Sequence, residues 1–155
     1  MEESIKPIVS QDGNMDQDVF DEPVLANIRE HWDWVKEGIV EAVSDYLVGL
    51  DGLRIEDIYA ACANNQAQLW VTKDGFVITT GVTEQYTNER LLLIWVAWAR
   101  TRGRNLAVAH TPFFEKQAKD AGFSKLQLKT VTSEVGEYVE ANGWQRKETV
   151  FTRDL

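Results

Sequence analysis

Cysteine is nearly absent. Cys62 is alone in the chain and cannot pair within it, which excludes a disulfide framework and fits a reducing compartment. It sits in a helical pattern (Ile55, Ile58, Tyr59, Cys62) and reads as a small core residue. Histidine is almost as scarce. His31 and His110 have no second histidine or cysteine at metal-ligand spacing, so no metal site is expected, and His110 reads as a surface residue. Long apolar runs are missing too: the longest, Leu91 to Ala99, is too short to span a bilayer. No basic segment followed by an apolar run opens the chain, so no signal peptide is expected and the protein should stay in the cytoplasm where it is made. Basic residues are outnumbered, 16 Lys and Arg against 25 Asp and Glu, for a net charge of −9. Duplex nucleic acid demands a basic face, so nucleic-acid binding is not expected. No Gly-x-Ser-x-Gly elbow occurs and Cys62 has no histidine near it in sequence, so a hydrolase finds no support.

What is present begins with size. A chain of 155 residues fits one domain, able to bury roughly two-thirds of its unfolded surface unaided. Six tryptophans supply large pieces of core or pocket wall. The acidity is concentrated: residues 1–22 hold seven acids against Lys6, a balance of −6, leaving −3 of the total −9 for everything after. Residues 1–22 therefore read as an acidic, flexible leader, with Ile5–Val9 able to make one short edge strand. A single domain is expected over 23–155.

Periodicity divides that domain. Pro23 suits a helix's first turn, and Leu25, Ile28, Trp32, Val35, Ile39, Val43 and Leu47 recur at spacings of three and four, with an interruption expected at Gly38. On that helix Trp32 belongs to the apolar face, while Trp34 points away and could line a groove. Asp51-Gly52 marks a turn and Ile55–Ala63 a shorter helix. The period then changes to two: Gln68–Lys73 and Phe76–Val82 read as strands joined by Asp74-Gly75 in a tight hairpin turn. Arg90–Trp98 is apolar on both faces, as a central strand covered on each side would be. Trp95 and Trp98, three apart, should face opposite sides of it. A helical stretch runs from about Asn105 to Ala121 and closes at Gly122. Pro112 either kinks it, the favoured reading, or opens a second helix with Thr111 as its cap. Lys125–Val131 reads as a strand, Glu134–Ala141 as a helix ending at Asn142-Gly143, and Thr149–Arg153 as a final strand. The sum is an α/β fold: one mixed sheet with helices on both faces.

The chemistry-bearing stretch is the handover from that central strand to a helix through Arg100-Thr101-Arg102-Gly103-Arg104-Asn105. A helix start leaves backbone N–H groups unpaired and carries partial positive charge. A glycine there lets backbone approach a ligand, and arginines add charge-assisted hydrogen bonds. Such a corner suits one small phosphorylated ligand.

Arg100-x-x-Gly103-x-Asn105 resembles the Gln/Arg-x-x-Gly-x-Gly/Ala pyrophosphate loop of the GNAT superfamily of acyl-coenzyme A N-acyltransferases. Its setting is similar as well, with the hairpin Gln68–Val82 before it, Ala121-Gly122-Phe123 after its helix, and a close at Tyr138…Gly143-Trp144 that resembles the family's Tyr-x-x-x-Gly-Phe. The style is that of small divergent members encoded by bacteriophages. The chain departs from the pattern at Asn105, where the family has a small residue, and at Val139, which stands where the family has its tyrosine. The resemblance implies acetyl-CoA as cofactor, held by the backbone of Trp95, Val96 and Ala97 and by Arg100, Arg102, Gly103, Arg104 and Asn105. It implies an N-acetyltransferase acting on a small or peptidic amine, with Tyr138 as candidate general acid and Glu84 and Glu89 as candidate bases. The alternative is a non-catalytic protein on the same fold, with a structural or host-factor-binding role, in the host cytoplasm or in a virion. No membrane partner is expected, and homo-oligomerisation is left open.

Overall fold

The computed structural model describes residues 21–44, 53–130 and 133–155. Most of the acidic leader, Leu47, the Asp51-Gly52 turn and Val131 lie outside the described residues. The first element among the described residues is a strand rather than a helix. β1 (Val24–Ala26) pairs antiparallel with Leu69–Val71, so Leu25 belongs to a sheet edge. The helix α1 (Ile28–Ser44) starts later because Asn27 starts it: its side-chain oxygen accepts from the Arg29 amide at 2.9 Å and its carbonyl from Glu30 at 3.0 Å. α1 runs unbroken through Gly38. A Cβ there would come within 2.5 Å of the Phe76 ring and 2.9 Å of Trp98, so the glycine admits the sheet's aromatic side chains.

α2 (Ile55–Ala63) matches its sequence pattern; at its start the Asp57 carboxylate accepts from the Arg54 amide at 2.8 Å, and the Asp57 amide donates to the Arg54 carbonyl at 2.9 Å. β2 (Ala67–Thr72) and β3 (Gly75–Thr83) form the expected hairpin, and β4 (Arg90–Ala99) lies antiparallel to β3. β5 (Lys125–Leu128) joins β4 in parallel, giving a five-stranded mixed sheet in the order β1-β2-β3-β4-β5. The helical stretch after β4 is two helices, α3 (Leu106–Ala109) and α4 (Thr111–Asp120), not one kinked unit. Pro112 has no N–H to return to the Val108 carbonyl. The Thr111 hydroxyl supplies that bond instead, at 3.0 Å, and His110 leaves helical geometry at φ −114° and ψ 25°. His110 is thereby buried in the break rather than on the surface. α5 (Ser133–Ala141) follows β5. The expected strand Thr149–Arg153 does not form. No neighbouring strand pairs with it among the described residues, and Val150 and Phe151 stand exposed.

Two cores sandwich the sheet. On one face α1 and α2 bury Val35, Ile39 and Ile58 against Leu69, Phe76, Ile78 and Val96. On the other, Leu106, Ala107 and Phe114 pack on Val77 and Ile94, with Trp70 and Trp144 at the margin. Trp95 and Trp98 both pack towards the α1 face, contrary to their spacing. The cause is a bulge. Ile78 pairs with Val96 while the next residue, Thr79, pairs with Ile94, so Trp95 is an extra residue and the strand's alternation reverses across it. Trp34 also turns inward. Its ring lies edge-on to Phe76 with centroids 5.8 Å apart, and its indole N–H donates to His31 Nδ1 at 3.1 Å.

Candidate functional site

The site grows from the C-terminal half of β4. β5 pairs only with Leu91–Ile94, yet β4 continues to Ala99. Past Ile94 one edge of the strand, Trp95 to Ala99, has no strand beside it among the described residues. The bulge at Trp95 begins where that pairing stops, adding twist to the segment that leaves its neighbour. A strand edge of this kind presents backbone donors and acceptors to whatever extended group enters the gap.

The arginine loop follows directly on this strand edge. Gly103 takes φ +84°, a left-handed conformation that glycine adopts without strain, and a Cβ built on it would meet nothing within 4 Å. Space is open above it. The amides of Arg102 and Gly103 have no hydrogen bond among the described residues, and the exposed Arg102 side chain has no ion pair among them either. The other two arginines are committed to the protein. Arg100 donates to the Lys73 carbonyl at 2.8 Å and lies over the Trp34 ring, 4.7 Å from its centroid. Arg104 pairs with Asp74 at 3.1 Å. Asn105 turns onto its own helix, its side-chain oxygen accepting from the Val108 amide at 3.1 Å. It caps α3 and so takes one of the amides that a helix start would otherwise offer.

Two of the remaining candidates lie apart from this corner. Glu84 and Glu89 belong to the β3–β4 loop, at the opposite end of β4, where the Glu84 amide donates to the Glu89 carbonyl at 2.8 Å. From Glu89 to Trp95 is six residues of strand, about 20 Å. Hydrogen bonding from the Ser124 hydroxyl, then from Lys125, holds the Glu89 carboxyl below the usual range, which makes it a weaker proton acceptor. Glu84 lies 3.9 Å from Lys147. Tyr138 is about half exposed on α5 while its neighbour Val139 is buried, so the tyrosine's position one residue from the family's pattern is matched by a different face of the helix. The structure thus brings Trp95, Val96, Ala97 and the residues from Arg100 to Asn105 to one end of the sheet, and does not bring Glu84 and Glu89 there.

Sequence reasoning missed three participants. Asp74, read only as a turn residue, reaches the arginine loop. Thr101, unremarked inside the motif, is held by Asp74 through both its amide and its hydroxyl. Asp21, assigned to the leader, is buried and accepts from the Lys73 amide at 2.7 Å; burial raises its carboxyl above the ordinary value of 3.8 despite that bond. No local pattern signals contacts between residues this far apart in the chain.

No family model and no curated protein matches the chain. Solved structures do. A probable acetyltransferase superposes with a TM-score of 0.62 at 16% identity, over 86% of this chain and 97% of its own. The ribosomal-protein-alanine N-acetyltransferase of Brucella melitensis biovar Abortus 2308 gives 0.57 at 17% identity, over 86% and 98%. An aminoglycoside acetyltransferase from an uncultured soil metagenomic sample, solved with sisomicin, gives 0.59 at 10% identity, over 89% and 97%. With its mixed five-stranded sheet, helices on both faces and a fourth strand parting from the fifth, the chain has the fold of the GNAT acetyltransferases.

Proposed function

We propose that the protein is an acetyl-CoA-dependent N-acetyltransferase acting on a small or peptidic amine in the cytoplasm. The observation that carries this reading is the unpaired edge of β4 from Trp95 to Ala99, leading directly into a loop with open space over Gly103. The residues present fit the cofactor's chemistry. Backbone groups of Trp95, Val96 and Ala97 suit an extended amide chain, and the Arg102 and Gly103 amides with the Arg102 guanidinium suit a diphosphate. Arg100, Arg104 and Asn105 serve the same site by holding the loop's shape. When bound, acetyl-CoA supplies an acetyl group activated as a thioester. Tyr138, about half exposed on α5, is the candidate proton donor. Glu84 and Glu89, the proton acceptors expected from the sequence, would have to act on an amine bound towards the far end of β4, since one bridging water does not span the distance to Trp95.

The test is thermal melting with and without acetyl-CoA. Ligand at a hundred times its Kd stabilises by about 2.7 kcal/mol, several degrees for a domain of this size. Gly103→Trp, which fills the open space, should abolish the shift; no shift in the parent at millimolar acetyl-CoA would overturn the reading. If binding holds, Tyr138→Phe should slow turnover with a responsive amine, and full turnover would remove that residue from the mechanism. The exposure of Tyr138 and the commitment of Glu89 to Ser124 and Lys125 favour a second reading, a non-catalytic protein on this fold with a structural or host-factor-binding role, as in bacteriophages. Acetyl-CoA binding accompanied by release of free thiol with any amine would exclude it.

A further inference from the structure

We infer that Asp74, on the turn between β2 and β3, is a positioning residue for the diphosphate seat, holding the arginine loop so that Arg102 and Gly103 face the ligand; this rests on the function proposed above. One residue grips the loop on both sides of that pair. The Asp74 carbonyl accepts from the Arg100 amide at 2.6 Å. Its Oδ1 accepts from the Thr101 amide at 3.0 Å and from the Thr101 hydroxyl at 2.9 Å, and its Oδ2 accepts from Arg104 Nη1 at 3.1 Å. Arg102 and Gly103 are the two residues spanned by these anchors.

The turn is itself held in place. The Thr72 hydroxyl oxygen accepts from the amides of Asp74 and Gly75, both at 3.1 Å, and Asp21 accepts from the Lys73 amide beside them. The Asp74 side chain is only 14% exposed and its bond to Arg104 is partly buried, while the Thr101 end of the grip lies at the surface. Glycine is the most conformationally permissive residue, so a loop that passes through Gly103 at φ +84° gains its shape from what anchors it. Four bonds from one fixed residue select that shape before any ligand arrives, and such preorganisation lowers the entropy cost of binding.

The sign of the effect separates positioning from mere proximity. A carboxylate standing near an anion site without a positioning role weakens binding by repulsion, and it also occupies Arg104. Removing it should then raise affinity for a diphosphate. A positioning role predicts the reverse.

Calorimetry with coenzyme A on the full chain decides between them, alongside an NMR titration with pantetheine, which lacks the diphosphate. We expect Asp74→Ala to lose roughly tenfold or more in coenzyme A affinity while pantetheine binding is unchanged. Asp74→Asn keeps an oxygen acceptor for Thr101 and should recover most of the loss. Thr101→Val, which deletes one anchor and leaves the turn intact, should weaken coenzyme A in the same sense. Affinity that is unchanged or higher in Asp74→Ala and Thr101→Val overturns the inference and leaves the proposed function standing. Equal loss of both ligands also overturns it, by showing general damage. A parent protein that binds neither ligand overturns the proposed function itself, and the inference with it.

Discussion

Two side chains show how burial sets chemistry at the scale of a residue. Cys62 lies partly covered on the α1–α2 side of the sheet, and burial pushes its thiol up to about 11 from the usual 9.0. Alkylation goes through the thiolate, so a rise of two pH units predicts a reaction with iodoacetamide at pH 8 roughly a hundredfold slower than that of a free thiol. Timed mass spectrometry of the native protein checks this; labelling as fast as in urea would show the thiol exposed. Asp21 is the acidic counterpart. Its folded-state pKa is raised, chiefly by burial, so the fold holds its proton more tightly than the unfolded chain does and loses stability as pH rises through that window. Asp21→Asn keeps an acceptor for the Lys73 amide without the buried charge. It should melt no lower than the parent at pH 7, with the gap closing as pH falls and the parent's carboxyl takes up its proton. A mutant that melts well below the parent at pH 7 would show that attraction to Lys73 and Arg104 outweighs burial.

At the scale of elements, α1 meets the sheet at a point fixed by one missing side chain. A methyl group at Gly38 would collide with Phe76 and Trp98, neither of which can yield easily: Phe76 is fully buried and the Trp98 indole donates to Glu41 at 2.9 Å. Gly38→Ala should therefore destabilise by about 1–3 kcal/mol through overpacking, less about 1 kcal/mol recovered from helix propensity. Urea denaturation measures the balance, and a net gain in stability would mean the helix can shift outward. The break at His110 is a second case. Thr111→Val leaves the Val108 carbonyl without the donor that Pro112 cannot supply, and should cost about 1 kcal/mol. Pro112→Ala, which restores an N–H, should relieve much of that loss in the double mutant.

For the whole molecule, charge decides what approaches it. An isoelectric point near 4.7 leaves the chain strongly anionic at neutral pH. Of the three arginines in the loop, Arg104 is already neutralised by Asp74 and Arg100 is stacked on Trp34. The remaining positive charge suits one small anion and falls short of a nucleic-acid footprint. Electrophoretic mobility of duplex DNA should thus be unchanged by micromolar protein at about 50 mM salt, and a retarded band would show that the loop acts as a nucleic-acid interface.

Much of this was legible from the chain alone. The run Arg90–Trp98, apolar on both faces, required a strand covered on each side, and Asp74-Gly75 between two alternating segments required a tight hairpin, because both signals arise from the geometry of neighbouring residues. The corner around Gly103 follows from the same local logic. What local pattern could not carry was decided by pairing across the sheet. Val24–Ala26 became a strand because β2 offered an edge to it, while Thr149–Arg153, with equal alternation, found none among the described residues. The tryptophan spacing misled because a bulge is a mismatch between two strands, visible only once both are aligned. Asp74 carried no sign of its second role, since its partners lie 27 and 30 residues away. Periodicity and turn chemistry determine which elements a chain can make; register and long-range contact, which depend on all the elements at once, determine which edge stays open and which side chains hold it so.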